Sequence, residues 1–353
     1  MTVPLPAISV ALGTYNGERF LREQLESLAD QSVLPAELVV CDDCSSDGTM
    51  AILERFAREA PFPVRIFRNE SNVGFTVNMI GAAERCAGSL IAFCDQDDVW
   101  SKDKIEVCAR FFADNRIGLL LHSAQPVDEN QRAIGKRYPF VRRTVVAPHL
   151  GADPWLAAFG CTLVMDRALL GLADWRLRPP SRDLDGHEMD FDEWFYFLAW
   201  SAGPVGFVDR CLVRYRQHAG NVCGAPDLTW TSRLRKLVVE DFATHRGRAA
   251  VARSYAEFLE ETGRELSEVD PDLGGRLLAA ARRWSEYRDR AEQRDGFYAA
   301  GSFVERLRRL WRLAMSSGYR SRESGGLGRL ALARDLRELA LPTGESKRQV
   351  REA

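Results

Sequence analysis

An α/β fold is predicted by three features of the sequence: short apolar runs that alternate with segments of helical period over the first hundred residues, polar turns that close the runs, and a change after Pro226 to arginine-rich helical segments. The alternation implies βαβ units with right-handed crossovers, and hence a parallel sheet covered on both faces, with an α-helical extension behind it. In such sheets ligands bind outside the carboxyl ends of the strands, so the polar turns mark the expected binding edge.

The elements follow in order. Ala7–Gly13 has the length and character of a first strand, and Thr14-Tyr15-Asn16-Gly17 closes it as a turn, because Asn-Gly accepts positive φ. Phe20, Leu21, Leu25 and Leu28 then recur at helical spacing. Leu38–Cys41 is the second strand, and the polar loop from Asp42 to Thr49 leads into a helix with Ile52, Leu53 and Phe56 on its buried face. Val64–Phe67 reads as a third strand, Asn72-Val73-Gly74-Phe75 as a turn and Thr76–Cys86 as a helix. Leu90–Cys94 is apolar throughout, as a strand buried on both faces must be, and it stops abruptly at Asp95, Asp97 and Asp98. Three carboxylates in four positions repel one another, which is unfavourable at the mouth of a buried strand unless a cation sits among them. Mg²⁺ or Mn²⁺, with their preference for oxygen ligands, meets that need; a solvated acidic turn capping the next helix is the bland alternative.

Composition narrows the class. At 353 residues, 46% hydrophobic and 28% charged, the chain has ample apolar material for a sizeable core. No apolar run has the length of a membrane-spanning helix, and the first residues lack a signal-peptide pattern, so a cytoplasmic protein is expected. The eight cysteines read as reduced, Cys41, Cys86, Cys94, Cys161 and Cys211 as small buried hydrophobes, and Cys41-x-x-Cys44 has no second pair with zinc spacing. There is no G-x-G-x-x-G after the first strand and no G-x-x-x-x-G-K-[ST], which argues against dinucleotide oxidoreductases and P-loop NTPases. The formal charge of −2 hides an asymmetry: residues 1–227 carry 23 Lys/Arg and 31 Asp/Glu, a net −8, while 228–353 carry 25 and 19, a net +6.

The sequence resembles a family 2 glycosyltransferase of the GT-A type, with its Rossmann-like sheet. The residues that carry the resemblance are Ser9–Gly17, Asp42–Thr49, Asn72-Val73-Gly74 and Cys94–Trp100, followed by Gly160-Cys161-Thr162 and Tyr215–Asn221, the last two being similar to the rhamnosyltransferase-like branch. The resemblance covers roughly residues 7–225. It implies that Asp43, with or without Asp42, recognises the pyrimidine of a UDP- or dTDP-sugar, that Thr14, Tyr15 and Asn16 line the base pocket, and that Asn72 belongs to the same donor site. It also implies that Asp95 and Asp97 form the D-x-D pair at the ribose, the diphosphate and a divalent metal. Asp47 is more readily a helix N-cap and Asp98 a structural hydrogen bonder.

Before its last catalytic helix the family carries a sequence similar to H-D-W-W. Here it is Phe191-Asp192-Glu193-Trp194, with Phe191 in the place of histidine, and the resemblance makes Asp192 the base that deprotonates the acceptor hydroxyl. His218 is either a structural residue or a ligand of the metal or diphosphate, and Arg216 or Arg214 is expected to face the diphosphate. Loops are expected over 129–150 and 176–189, the second as a lid on the donor.

The expected organisation is a catalytic domain over 1–225, a helical region over 226–341 and a disordered tail over 342–353. In the helical region Leu234, Leu237, Val238 and Phe242 continue into Ala252, Tyr255, Ala256 and Leu259, and a turn at Asp270-Pro271 precedes a helix to about Gln293. Ser302–Met315 places Phe303, Leu307, Leu310, Trp311 and Ala314 on one stripe with arginines around it. That pattern fits a core-packing helix or an interfacial helix on anionic lipid, the second making the protein peripheral at the inner face of the membrane. The function expected is inverting, metal-dependent transfer of one sugar to a hydroxyl of a glycan or lipid-linked glycan in cell-surface polysaccharide synthesis, rhamnose being the sugar the branch suggests. No nucleic-acid partner is expected. A catalytically inactive sugar-nucleotide-binding scaffold is the alternative, against which the intact Asp95, Asp97 and Asp192 speak.

Overall fold

The structure is a computed structural model that describes residues 4–139, 141–182, 186–219, 221 and 242–340, with the backbone alone for 242–246 and 340. The expected tail and the apolar positions Leu234, Leu237 and Val238 lie outside the described residues. The chain divides into two compact units, Met1–His149 with Leu156–Arg178 and Met189–Leu228, and Leu150–Trp155 with Pro179–Glu188 and Thr229–Ala353.

The first unit is built on a mixed sheet, nine-stranded among the described residues, with the order β3-β2-β1-β4-β8-β6-β9-β5 and β7 alongside β9. The strands are β1 (Ile8–Thr14), β2 (Glu37–Asp42), β3 (Val64–Arg68), β4 (Leu90–Cys94), β5 (Val99–Trp100), β6 (Leu119–Val127), β7 (Val145–Ala147), β8 (Leu163–Asp166) and β9 (Val205–Arg216). Helices α1 (Leu21–Ala29), α2 (Thr49–Glu59), α3 (Phe75–Glu84), α4 (Lys104–Asp114) and α5 (Phe191–Ala202) flank it. Every residue of β2 and of β4 is buried, as strands covered on both faces require. The helices seal these faces with one stripe each: Leu21, Leu25 and Leu28 from α1, and Leu53 from α2 with Ile52 and Phe56 partly buried beside it.

β3, β2, β1 and β4 run parallel, as the alternation predicts. The expectation of an all-parallel sheet is corrected beyond β4, where β8 pairs antiparallel with both β4 and β6, and β9 is parallel to β6 but antiparallel to β5 and β7. No crossover helix separates β8 from β6 in the way that helices separate β1 to β4, so the period that identifies βαβ units is missing there. Part of the segment expected to be loop forms β7.

Register fixes the functional edge. Thr14 pairs with Asp42, Leu12 with Cys94, and Val99 with Arg214, so the turns after β1, β2 and β4 open on one side, next to the end of β9. The order reverses between β1 and β4, the place where ligand crevices form in open α/β sheets.

The second unit is helical: α6 (Phe242–Ser267), α7 (Pro271–Ala299), α8 (Phe303–Met315) and α9 (Arg329–Ala340). The predicted face Ala252, Tyr255, Ala256 and Leu259 is buried, and Trp284 sits edge-on to Trp155 and Tyr255 at centroid distances of 4.9 and 4.8 Å. Asp270 caps α7 through a 3.0 Å bond from Leu273 N–H, with Pro271 in the first turn, and the helix runs on past Gln293 to Ala299.

A second core holds Phe297, Leu310, Leu313, Tyr319 and Ala331. Through it runs a buried ion pair, Arg294 to Asp335 at 2.6 Å, and the hydroxyls of Tyr298 and Tyr319 donate to the same carboxylate at 2.7 and 2.6 Å. Removing one partner of such a pair leaves an uncompensated buried charge. Asp335→Ala is therefore expected to lower stability by about 3–5 kcal/mol, measured by denaturant unfolding; a loss well under that would mean that water reaches Arg294.

Candidate active site

The turns at the strand ends are held by their own carboxylates. Asp42 is buried and accepts from Thr14 Oγ1 at 2.9 Å, from Ser45 N–H at 2.9 Å and from the Ser45 hydroxyl. Asp43, also buried, accepts from the Asn69 side-chain amide and Val73 N–H at 2.8 Å and from Gly74 N–H at 2.9 Å. Both acids thus face inward and stitch the loops after β2 and β3 to the sheet. Gly74, with φ of +89°, lets the backbone turn its N–H toward Asp43. Asn72 is exposed and accepts a 3.2 Å bond from Gly74 N–H. Asp47 serves the start of α2, accepting from Thr49 N–H at 3.0 Å.

The turn after β1 is clasped to the turn after β4. Gln96, the middle residue of Asp95-Gln96-Asp97, accepts from Tyr15 N–H at 2.9 Å and donates to Tyr15 C=O at 3.0 Å. Gly17 permits this approach, since a Cβ there would stand 2.2 Å from Gln96 Oε1. Asn16, with φ of +47°, accepts from Ser46 N–H at 2.9 Å, and the Tyr15 ring is left 48% exposed at the rim. Gln96 went unnoticed in the sequence because a middle position between two acids carries no pattern of its own.

The acids after β4 have three different surroundings. Asp97 pairs with His218 Nε2 at 2.8 Å, and Asn221 stands 3.4 Å from the same oxygen. Asp98 is fully buried and accepts from Arg216 N–H at 3.1 Å. No nitrogen or oxygen donor of the described residues meets Asp95 Oδ1 or Asp98 Oδ2, and the Cys161 thiol joins these two carboxylates in a group whose ligand atoms lie within 4.8 Å of one another. Burial pushes the Asp95 carboxyl up to about 7, Asp97 and Asp192 add to the rise, and Lys104 opposes it. Burial, then Asp97 and Asp95, raises Asp98 well above the usual range.

Beneath them lies Lys104, fully buried at the start of α4. Its ammonium donates to Cys161 C=O at 2.7 Å and stands 3.5 Å from the centre of the Trp100 ring, while burial pulls its pKa below the ordinary value. Lys104 is a buried cation near enough to oppose the rise at Asp95, and its helical spacing gave no sign of that role.

Arg216, one of the two arginines expected at the diphosphate, has its guanidinium engaged by protein groups in this structure. It donates to Asp97 C=O at 2.7 Å, Glu129 C=O at 2.8 Å and the Glu23 carboxylate at 2.7 Å, over the Phe20 ring at 4.4 Å. The reason is register: Val99 opposite Arg214 sets Arg216 behind the acid turn, where its fork ties down the backbone.

Asp192 occupies the first turn of α5, where the helix dipole favours a carboxylate, and Glu193 N–H donates to it at 2.7 Å. Glu193 is buried. Phe191 is fully buried against Phe93 and Phe75, with centroids at 4.8 and 5.3 Å, so the position that bears histidine in the resembling pattern packs the core here. Gly160 makes room for it, since a Cβ there would meet Phe191 Cζ at 2.2 Å. The structure therefore brings Asp95, Asp97, His218 and Asp192 to one edge and turns Asp42, Asp43 and Arg216 inward.

Asp95 Oδ1, an orphaned buried acceptor, suits a hard divalent cation, but the ligand atoms that lie within 4.8 Å of one another are those of Asp95, Asp98 and Cys161, while Asp97 and His218 pair with each other. Burial raises the Cys161 thiol well above its usual range, which makes it a poor thiolate ligand.

Lys104→Met removes this buried ammonium. A loss of about 1–3 kcal/mol in unfolding free energy is expected, the cost of leaving the buried Cys161 carbonyl without its donor. Wild-type stability in the variant would mean that the carbonyl does not need Lys104 as its donor.

The family model described as "Glycosyl transferase family 2" matches residues 9–170. The chain is 32% identical over 136 residues to TuaG of Bacillus subtilis, whose name places it in teichuronic acid biosynthesis, covering 36% of this chain and 54% of TuaG. It thus spans about half the length of that relative. It is 26% identical over 238 residues to the dTDP-rhamnosyl transferase RfbG of Shigella flexneri, covering 64% of this chain and 78% of RfbG. Among solved structures, S. aureus TarS 1–349 in complex with UDP-GlcNAc aligns with a TM-score of 0.51 at 18% identity, over 98% of this chain and 92% of TarS, a likeness of fold. The matched span, residues 9–170, holds the turns after β1, β2 and β4, so the likeness to glycosyl transferase family 2 falls on the same edge as the candidate site.

Proposed function

We propose that this protein transfers a single sugar, with inversion, from a UDP- or dTDP-sugar to a hydroxyl of a glycan or lipid-linked glycan in cell-surface polysaccharide synthesis. The observation that carries the reading is the convergence of Asp95, Asp97, His218 and Asp192 at one strand edge of a family 2 domain. The names of RfbG and TuaG support a dTDP-sugar, rhamnose included, and a cell-surface product, and the UDP-GlcNAc complex of TarS supports a nucleotide-sugar donor. The lipid-linked acceptor puts the reaction at a membrane face, the setting of a peripheral protein. No described helix is long and apolar enough to cross a membrane.

The roles follow from the chemistry. The turns at Thr14–Asn16 and Asn72, braced by Asp42 and Asp43, line the nucleotide side with fixed backbone groups. Asp192 takes the proton from the acceptor hydroxyl as its oxygen bonds to the anomeric carbon from the face opposite the departing diphosphate. One C–O bond forms and the sugar–phosphate C–O bond breaks, with the electron pair leaving on the diphosphate. Asp95 and Asp97, with His218 beside them, would hold Mg²⁺ or Mn²⁺, which would supply Lewis-acid stabilisation of that charge. His218 orients the Asp97 carboxylate through its 2.8 Å contact.

Two measurements test the reading. Radiolabelled sugar transfer from a panel of UDP- and dTDP-sugars should stop in excess chelator and in Asp97→Asn, with the fold retained; full activity in chelator overturns the metal role. Asp192→Asn should cut turnover about a hundred- to ten-thousand-fold while donor-induced thermal stabilisation persists. If Glu193→Gln gives that profile and Asp192→Asn does not, the base is the neighbouring residue. Donor binding without transfer to any glycan acceptor would favour the scaffold.

A further inference from the structure

Helix α8 breaks the rule that a surface helix turns its apolar side inward. Ser302 starts it by accepting a 3.2 Å bond from Glu305 N–H, and Arg306, Leu310 and Leu313 pack inward on Phe297 and its neighbours. The other side is apolar and open: Phe303 is 54% exposed, Val304 63%, Leu307 46%, Trp311 65% and Met315 67%. The predicted stripe is thereby corrected, since of its large members Leu310 alone is buried. At about 100° per residue the five exposed side chains share an arc of roughly 120° along a helix of about 18 Å. Single exposed apolar residues are ordinary, whereas a continuous apolar face with a tryptophan in it calls for an occupant.

The border of that face indicates the occupant. Arg308 and Arg312 lie exposed along one edge, and neither has an acidic partner among the described residues, whereas Arg309 is neutralised by Glu305. We infer that this face of α8 docks on an anionic lipid bilayer, with Phe303, Leu307, Trp311 and Met315 entering the boundary between head groups and acyl chains. Arg308 and Arg312 then meet lipid phosphates. Aromatic rings settle at that depth because one end is apolar and the other wet. The net +6 of residues 228–353 adds a longer-range attraction to the same surface. The inference goes beyond the proposed reaction and does not require it.

Co-sedimentation of the full chain with vesicles of phosphatidylglycerol and phosphatidylcholine, against vesicles of phosphatidylcholine alone, tests it. The protein should pellet with the anionic vesicles at low salt and be released as salt rises. Arg308→Gln and Arg312→Gln should each weaken the partition about fivefold, and Trp311→Ser should weaken it at unchanged melting temperature. Protein that stays in the supernatant at low salt, that pellets equally on neutral vesicles, or that ignores these substitutions overturns the inference. So does a dimer that Trp311→Ser converts to monomer, which would make the face a contact between copies of the chain. Thermal stabilisation by UDP- and dTDP-sugars, measured on the same preparation, separates the two readings: loss of vesicle binding with donor stabilisation intact refutes the docking face alone.

Discussion

Asp95, Asp97 and Asp98 concentrate three carboxylates at the end of a strand with no exposed face, and the surrounding elements are arranged to make that concentration bearable. Lys104 reaches it from α4, His218 and the Arg216 backbone from the end of β9, and the Gly160–Thr162 turn closes over it with Cys161. The mixed half of the sheet has its physical rationale here. A strictly parallel continuation would return each chain end by a helix, whereas β9, antiparallel to the two residues of β5, lays Arg216 and His218 directly against the acid turn.

On the nucleotide side the charge is handled differently. Asp42 and Asp43 accept hydrogen bonds from loop amides and hydroxyls, which stiffens the turns there, and the Tyr15 ring is exposed beside them. A site of this kind spends little entropy on binding, because its loops are already fixed. Asp192 stands apart from both arrangements: the first turn of α5 stabilises its carboxylate, and the aromatic packing of Phe191, Phe93 and Phe195 holds that turn in place.

The helical unit follows opposite rules at two neighbouring places. Around Arg294 and Asp335 a charge pair is buried and its hydrogen bonds are completed by two tyrosines. On α8 apolar side chains are left outside. Local departures of this kind mark sites shaped by something other than stability.

Most of the first four strands and their helices were legible in the sequence, because period and turn chemistry act over a few residues and these elements keep that period. So was the resemblance to family 2, through Asp42–Thr49 and Cys94–Trp100 in order along the chain. What the sequence determined by itself was therefore the parallel half of the fold and the identity of the acidic residues at its edge. Which of those acids are satisfied by protein donors was decided only by the tertiary structure. Asp43 and Asp95 look alike in sequence, yet one accepts from Val73 and Gly74 amides thirty residues on while the other keeps an oxygen without such a donor. Arg216 or Arg214 read as a residue at the diphosphate, and strand register decided that the Arg216 guanidinium meets Asp97 and Glu129 carbonyls, while the stripe on α8 read as core or interfacial surface. The physical reason is common to all three: local pattern fixes which residues share a face, but what that face meets depends on partners far away in the chain.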